Sequence, residues 1–300
     1  MILVTGSTGF IGSNLVINLN CPFKVVLRLG ERSQHESFCV NSINQYTNWG
    51  TELIGIKTVI HLAGIAHSRD SNDFRSVNVD GTLKLAEAAA QNGVKRFVFV
   101  SSIGVNGIST QHTPFSPSSR CEPHNMYAES KYEAEQSLIE IADRTGLEVV
   151  IVRPTLVYGP KAPGNFRLLT KLVSKLRFLP FGFANNKRDF ISVNNLADLL
   201  VTCATHPNAA GHTFLASDGE TVSIKEFTNA IAKGLGKKVF QLPVPVTLMR
   251  LAGKLTGKSA MIEQLYGNLE VDSSNIKQVL GWTPPFTMEQ SMAFLKHTDK

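Results

Sequence analysis

Thr5-Gly6-Ser7-Thr8-Gly9-Phe10-Ile11-Gly12 is the stretch whose reading decides the fold. Its spacing is Thr-Gly-x-x-Gly-x-x-Gly. Ile2-Leu3-Val4 before it reads as a strand, and Phe10 to Leu19 after it reads as a helix. Glycines at such a junction let the backbone turn tightly and approach a pyrophosphate. The helix start adds free N–H groups and a partial positive charge. A glycine triplet alone is weak evidence. Between a strand and a helix it predicts that Gly6, Thr8, Gly9, Phe10, Ile11 and Gly12 hold a nicotinamide dinucleotide.

Working outward, Lys24 to Leu29 reads as a second strand and Thr58 to Leu62 as a third. Thr82 to Asn92 is a helix stopped at Gly93, Arg96 to Val100 a strand, Tyr127 to Thr145 a long helix, and Glu148 to Val152 another strand. Strands alternating with helices, and strands that are continuous Val/Ile/Phe runs, predict a parallel sheet covered on both faces. The expected class is α/β, a Rossmann-type doubly wound parallel sheet with a smaller C-terminal substrate-binding domain. Prolines and glycines cluster after Arg153-Pro154. The division expected is a dinucleotide-binding domain over 1–158 and a mainly substrate-binding domain over 159–300, with about 188–215 returning to the first.

The end of the second strand chooses between cofactors. A ribose-binding acid is expected there, roughly 20 residues past the turn. This chain has Arg28, with Arg32 nearby. A guanidinium can pair with a 2′-phosphate, so NADP(H) is favoured. Glu31, close by, keeps NAD(H) open.

Of the 5 tyrosines, only Tyr127 has a lysine four residues later, Lys131. On a helix the two share a face. A positive charge about 4 Å from a phenol would lower its pKa by up to about 3 units, toward the range useful for proton transfer. Ser101-Ser102 ends the strand before that helix, where open parallel sheets bind ligands. A hydroxyl there can orient a reacting oxygen.

The whole chain carries a formal net charge of +6, with 43% hydrophobic and 18% charged residues. Lys and Arg are scattered, with no basic run and no interleaved aromatic stripe. An anionic cofactor and substrate explain the excess, so no nucleic-acid partner is expected. No apolar run reaches the roughly 18 residues a membrane span needs, so no membrane partner is expected either. The opening residues do not form a signal peptide, and a cytoplasmic location follows. Cys21, Cys39, Cys121 and Cys203 are widely spaced and form no metal-type pair. No metal site is expected.

Together, the glycine turn, a strand-end Ser and Tyr-x-x-x-Lys resemble the extended short-chain dehydrogenase/reductase family. His61-Leu62-Ala63-Gly64, Asn78-Val79-Asp80-Gly81-Thr82, Arg153-Pro154-Thr155-Leu156-Val157-Tyr158-Gly159-Pro160, Arg188-Asp189-Phe190-Ile191-Ser192-Val193 and Leu280-Gly281-Trp282-Thr283-Pro284 resemble its nucleotide-sugar branch. The resemblance implies that Ser102, Tyr127 and Lys131 are catalytic. It adds Ser42, Leu62, Ala63, Gly64, Asn78 and Pro154 to the cofactor site. Asn165 would contact the nucleotide of a UDP-sugar and Arg188 its diphosphate. Members often pair through helices near 82–92 and 127–145, which makes a homodimer a candidate assembly.

Three departures from the family pattern stand out: Arg28 replaces the usual Asp, Ser42 replaces an acid, and Val105-Asn106-Gly107 replaces Val-Tyr-Gly. The subgroup resembled lies near UDP-glucose 4-epimerases and includes reductases of UDP-4-keto-6-deoxy-N-acetylhexosamines. The leading expectation, motivated by Arg28, is an NADPH-dependent 4-ketoreductase of a UDP-linked sugar. The alternative is a UDP-glucose or UDP-N-acetylglucosamine 4-epimerase with retained NAD. A more remote one is a redox-sensing binding protein without chemistry. A 4,6-dehydratase would want an acidic pair near the serine, where this chain has Ile103-Gly104. Pocket shape, and with it sugar choice, is expected to involve His67, Asn106, Phe166 and the loop in the 180s.

Overall fold

The computed structural model describes residues 1–66, 68 and 70–297, and His67 lies outside the described residues. The chain opens with β1 (Ile2–Thr5), α1 (Phe10–Asn18), β2 (Phe23–Arg28), β3 (Ser37–Val40) and β4 (Thr58–His61). A helical stretch follows from α2 (Ser71–Asp73) through a π-helical segment (Phe74–Gly81) into α3 (Thr82–Gln91). Next come β5 (Arg96–Val100), α4 (Met126–Thr145), β6 (Glu148–Pro154) and β7 (Leu156–Tyr158). The rest comprises α5 (Gly164–Lys175), β8 (Phe178–Leu179), β9 (Phe190–Ser192), α6 (Val193–Thr205), β10 (Thr213–Ala216), α7 (Ile224–Gly234) and β11 (Phe240–Gln241). Four helices close the described chain: α8 (Val246–Leu255), α9 (Ser259–Tyr266), α10 (Ser274–Leu280) and α11 (Met288–Ala293).

Seven strands form one parallel sheet in the order β10-β6-β5-β4-β1-β2-β3. The order reverses at β1, the position at which open parallel sheets bind ligands in a crevice at the strand ends. Strand periodicity explains the two faces. Ile2, Val4, Val98 and Val100 face the side covered by α1, α6 and α10. Leu3, Phe97 and Phe99 face α3 and α4. A third apolar cluster, centred on Tyr158, Phe166, Phe190 and Phe227, lies among α5, α7, α9 and α11.

The structure departs from the sequence reading in two places. β3, third in chain order, is a strand that the sequence did not announce, because it is a four-residue edge strand with only Val40 buried. Helix α3 does not begin afresh at Thr82 either. Its helical stretch starts at Ser71, where Asp70 accepts from Asn72 N. Gly81 sits inside it because a Cβ there would lie 2.7 Å from the Ile43 carbonyl oxygen.

Candidate active site

The glycine turn is shaped by what each glycine avoids. Gly6 has φ +71°, and a Cβ on it would come 2.8 Å from Ala63 N. A Cβ on Gly12 would come 2.1 Å from the Gly6 oxygen. The turn therefore packs directly against the strand-end segment Leu62-Ala63. Gly9 caps α1 with no side-chain bond, leaving the first N–H groups of the helix open to a phosphate. This cradle, which any Cβ would fill, fits a dinucleotide pyrophosphate.

A buried relay of hydroxyls ties that turn to β4. Thr5 Oγ1 lies 2.8 Å from His61 Nδ1, and His61 Nε2 lies 2.9 Å from Thr82 Oγ1. Thr82 donates its own proton to Asn78 O at 2.8 Å, so it accepts from His61. His61 thus carries its proton on Nε2 and takes one from Thr5 on Nδ1. Burial, with Lys131 nearby, pushes the imidazole down to about 3 and keeps it neutral.

At the end of β2, Arg28 does not stand alone. Its Nε and Nη2 reach the Glu31 carboxylate at 3.2 and 2.9 Å. The same carboxylate accepts from Arg28 N at 2.8 Å and from the Thr8 hydroxyl at 3.1 Å. An acid is therefore docked on the glycine turn, three residues later than its expected position. Ser42 follows β3, and its hydroxyl accepts from Asn44 Nδ2 at 2.8 Å.

Asn78 is committed to protein groups. Its Oδ1 accepts from Ile65 N, and its amide donates to Ile65 O and to Ser130 Oγ. The cofactor role expected for it is therefore one of shaping: it staples the segment after Gly64 to α4. A Cβ on Gly64 would lie 3.1 Å from Asn78 Oδ1 and 3.3 Å from Lys131 Nζ. Glycine is what lets the lysine come so close.

Helix α4 brings Tyr127 and Lys131 to the crevice. Asn125 caps it by accepting from Ala128 N at 2.9 Å. Lys131 Nζ donates to Val100 O at 2.9 Å and lies 4.6 Å from the Phe99 ring centroid, which locks it onto the end of β5. Burial pulls its pKa down to about 8, against a pull upward from Glu135. Ser102 is the second residue past β5, and its Oγ accepts from Gly104 N at 3.1 Å. Ser101 has a buried hydroxyl with no hydrogen-bond partner among the described residues. The phenol of Tyr127 corrects the expectation of a depressed pKa. Burial pushes it above its usual value, and a hydrogen bond with Ser102 only partly pulls it back. The buried ammonium is held by Val100, and desolvation of the phenolate is the larger effect.

Arg188 lies two residues before β9, with its backbone bridged to Val222 and Leu269. Its Nη1 donates to Gly267 O at 3.0 Å, and burial lowers its pKa to about 10, with no carboxylate pairing with it among the described residues. Asp189, its neighbour in sequence, forms no ion pair with it. Asp189 accepts instead from Thr221 Oγ1 and Val271 N, both at 2.6 Å. Asn165 is exposed at the start of α5, Phe166 is buried beside it, and Pro154 ends β6.

Two supports escaped the sequence reading. Arg153 pairs with the buried Glu135, its Nε at 2.9 Å, and donates to Asn106 Oδ1 at 3.0 Å. Tyr158 donates to Asp218 at 2.6 Å, and Asp218 also accepts from Ser192 N and Asn195 Nδ2. The spacing Tyr127–Lys131–Glu135 is a signal for the first, since each step of four returns to one helix face. The second joins residues about 60 apart, and no local pattern marks it.

With the turn, the Ser-Tyr-Lys cluster and the crevice in place, comparison with known proteins is decisive. Residues 2–217 match the NAD dependent epimerase/dehydratase family. The chain belongs to that family. Its place among extended short-chain dehydrogenase/reductase enzymes follows. A UDP-glucose 4-epimerase of Vibrio cholerae is 43% identical over 317 residues, covering 100% of this chain and 97% of that protein. An N-acetyl-alpha-D-glucosaminyl-diphospho-ditrans,octacis-undecaprenol 4-epimerase of Escherichia coli O157:H7 is 25% identical, covering 97% of this chain and 92% of that one. Among solved structures, the UDP-N-acetylglucosamine 4-epimerase from Bacillus cereus superposes with a TM-score of 0.81. It is 19% identical and covers 100% of this chain and 99% of its own, which shows the shared epimerase-family fold.

Proposed function

We propose that this member of the family is a 4-epimerase of a UDP-linked hexose or N-acetylhexosamine that works with a retained NAD. The observation that carries the reading is the Glu31 carboxylate hydrogen-bonded to Thr8 of the glycine turn. A carboxylate beside the adenosine ribose accepts from its hydroxyls and repels a 2′-phosphate. Arg28, which alone motivated NADPH and hence a reductase, is turned onto that carboxylate. The 43% identical relative, described as a UDP-glucose 4-epimerase, supports the same choice.

A bound nicotinamide would supply the hydride acceptor and donor at C4. The cradle of Gly6, Gly9 and Gly12 would hold the pyrophosphate, with Lys131 on the ribose beside the nicotinamide. Tyr127 takes the proton from the C4 hydroxyl and returns it to the C4 oxygen after the keto sugar has turned over. Ser102 holds that oxygen in line with the phenol. Tyr127 must begin as a base, and its pKa stands above the usual value, so the positive charges that gather around it on binding lower it. Arg188 grips the diphosphate while the sugar turns, which keeps the freed sugar in the site.

The second reading, a 4-ketoreductase using NADPH, is favoured by one observation: the Arg28 side chain is 70% exposed and can leave Glu31 for a phosphate. Denaturing the purified protein and identifying the nucleotide released separates the two. Stoichiometric NAD, together with interconversion of UDP-glucose and UDP-galactose or their N-acetyl counterparts without added cofactor, supports the epimerase. Release of no nucleotide, with turnover only of a 4-keto sugar and added NADPH, overturns it.

A further inference from the structure

One face of the C-terminal lobe combines apolar and basic groups in a way the proposed reaction does not use. Of the large apolar residues exposed on the described surface, ten fall between Leu168 and Met261. Helix α8 is the clearest case, since Gly253 is its one buried residue. Leu248, Leu251 and Leu255 are 55%, 53% and 80% exposed. At 100° per residue they lie within an arc of about 60°, forming one outward ridge. Gly253 lets α8 lie against α9, because a Cβ there would come 2.7 Å from Ile262. The ridge is therefore held outward by packing on the opposite side.

The strand pair that precedes α8 also exposes apolar rings. Phe178 and Phe240 stack with centroids 5.6 Å apart, and both are more than half exposed. Leu242 N bonds Leu179 O at 2.7 Å, fastening the strand pair to the segment that leads into α8. The charge on these elements has a single sign. Residues 161–178 and 233–258 carry 5 and 6 Lys or Arg, with no Asp or Glu in either segment. Lys237 donates to Ser174 O at 2.7 Å, which joins the two segments. Lys233 and Arg250 pair with Glu289 and Glu263, whereas Lys254 and Lys258 make no ion pair among the described residues.

We infer that this face docks the enzyme on an anionic lipid bilayer, with the α8 ridge and the Phe178–Phe240 pair entering the interface and the surrounding lysines meeting lipid phosphates. Charge selects this occupant. A second copy meeting through a two-fold axis would set like charges against each other. A nucleic acid would satisfy the lysines but leave the leucines in water. Leucine and phenylalanine beside long basic side chains is the composition of an interfacial surface, with the charged ends reaching to the headgroups. Docking of this kind needs no spanning segment. The sequence expectation of no membrane partner rested on span length, which does not address surface docking. Among the described residues no helix is long and apolar enough to cross a membrane.

The test is co-sedimentation of the full chain with phosphatidylcholine vesicles, with and without phosphatidylglycerol. Pelleting with the anionic vesicles, weakened by salt, is expected. Leu251→Ser with Leu255→Ser, and separately Lys254→Glu with Lys258→Glu, should each lower the partition at least about tenfold. Melting temperature and turnover of a soluble UDP-sugar should stay unchanged, so success or failure is independent of the reaction proposed above. Absence from the anionic pellet, or equal pelleting of the variants, overturns the inference. So does a dimer in sedimentation that the leucine variants dissolve.

Discussion

The Thr8 hydroxyl donates to the Glu31 carboxylate at 3.1 Å, across 23 residues of chain. This one bond joins the loop after β2 to the glycine turn and places a negative charge beside that turn. Arg28 bonds the same carboxylate through both backbone and side chain. Glu31→Gln keeps the shape and removes the charge. NAD affinity should fall about tenfold or more, the range for one hydrogen bond to a charged group. NADP affinity should rise as Arg28 is released. Titration of each dinucleotide by calorimetry reads both numbers. Unchanged selectivity would remove Glu31 from the cofactor argument.

Tyr127 and Ser102 make separable predictions. Tyr127→Phe keeps the packing of α4 and removes the proton carrier, so kcat should fall about a hundred- to ten-thousand-fold with little change in KM. Ser102→Ala leaves the phenol in place but frees the C4 oxygen, and a smaller loss in kcat is expected. Steady-state kinetics on the preferred UDP-sugar separates these cases. A Tyr127→Phe enzyme of ordinary activity would move the proton transfer elsewhere.

Lys131 is an example of function opposing stability. Burial lowers its pKa from 10.5 to about 8. At about 1.4 kcal/mol per unit, the charged lysine costs the fold about 3 kcal/mol at neutral pH. Lys131→Met removes that cost and loses one bond to Val100 O, worth about 1 kcal/mol. The variant should be inactive yet about 1–2 kcal/mol more stable at pH 7. The size of this difference depends on pH. Between about 8 and 10.5 the unfolded lysine holds its proton while the folded one has lost it. The wild-type chain therefore gains stability as pH rises through that window, and the advantage of the variant shrinks. Denaturant melts at pH 7 and pH 9.5 test both parts.

His61 gives the acid limb. Its folded pKa is about 3 against an ordinary 6.5, so its contribution is present above 6.5 and is lost as pH falls toward 3. By pH 5 the loss from this residue alone is about 2 kcal/mol. His61→Asn should start less stable at pH 7, because its two hydroxyl partners lose their bonds. It should also show a shallower fall between pH 7 and pH 5. Parallel slopes for the two proteins would assign acid sensitivity to other groups.

What the sequence made legible was local. The glycine turn, β5 and α4 could be read because glycine spacing, a continuous Arg96–Val100 run and the Tyr127–Lys131 step are patterns within one element. What stayed hidden was formed by distance. Glu31 could be seen in the sequence, yet its bond to Thr8 depends on the loop after β2 folding back. Edge strand β3 has little buried surface to shape its residue choice. The Tyr158–Asp218 bond crosses from β7 to the end of β10. The basic residues look scattered in sequence, yet distant segments meet, as where Lys237 donates to Ser174 O. Even the direction of the Tyr127 shift turned on how deeply α4 buries its phenol, which no spacing reveals.

Arg188 supplies the last test, because its structural and functional roles predict opposite outcomes. Its guanidinium is buried enough to be pulled to about 10, and among the described residues no carboxylate pairs with it. A buried cation without a counter-ion destabilises a fold, so packing alone does not account for it. A diphosphate would supply the missing negative charge. Arg188→Met fills similar space without charge. If the residue grips the substrate diphosphate, the KM for a UDP-sugar should rise about ten- to a hundredfold, as expected for loss of a charge-assisted bond. The melting temperature should hold or rise. Adding UDP should raise the melting temperature of the wild type and not of the variant. If the residue is structural, held by Gly267 O and its strand-like contacts, the variant should melt lower with KM unchanged. Thermal melts with and without UDP, alongside the KM, decide between the two.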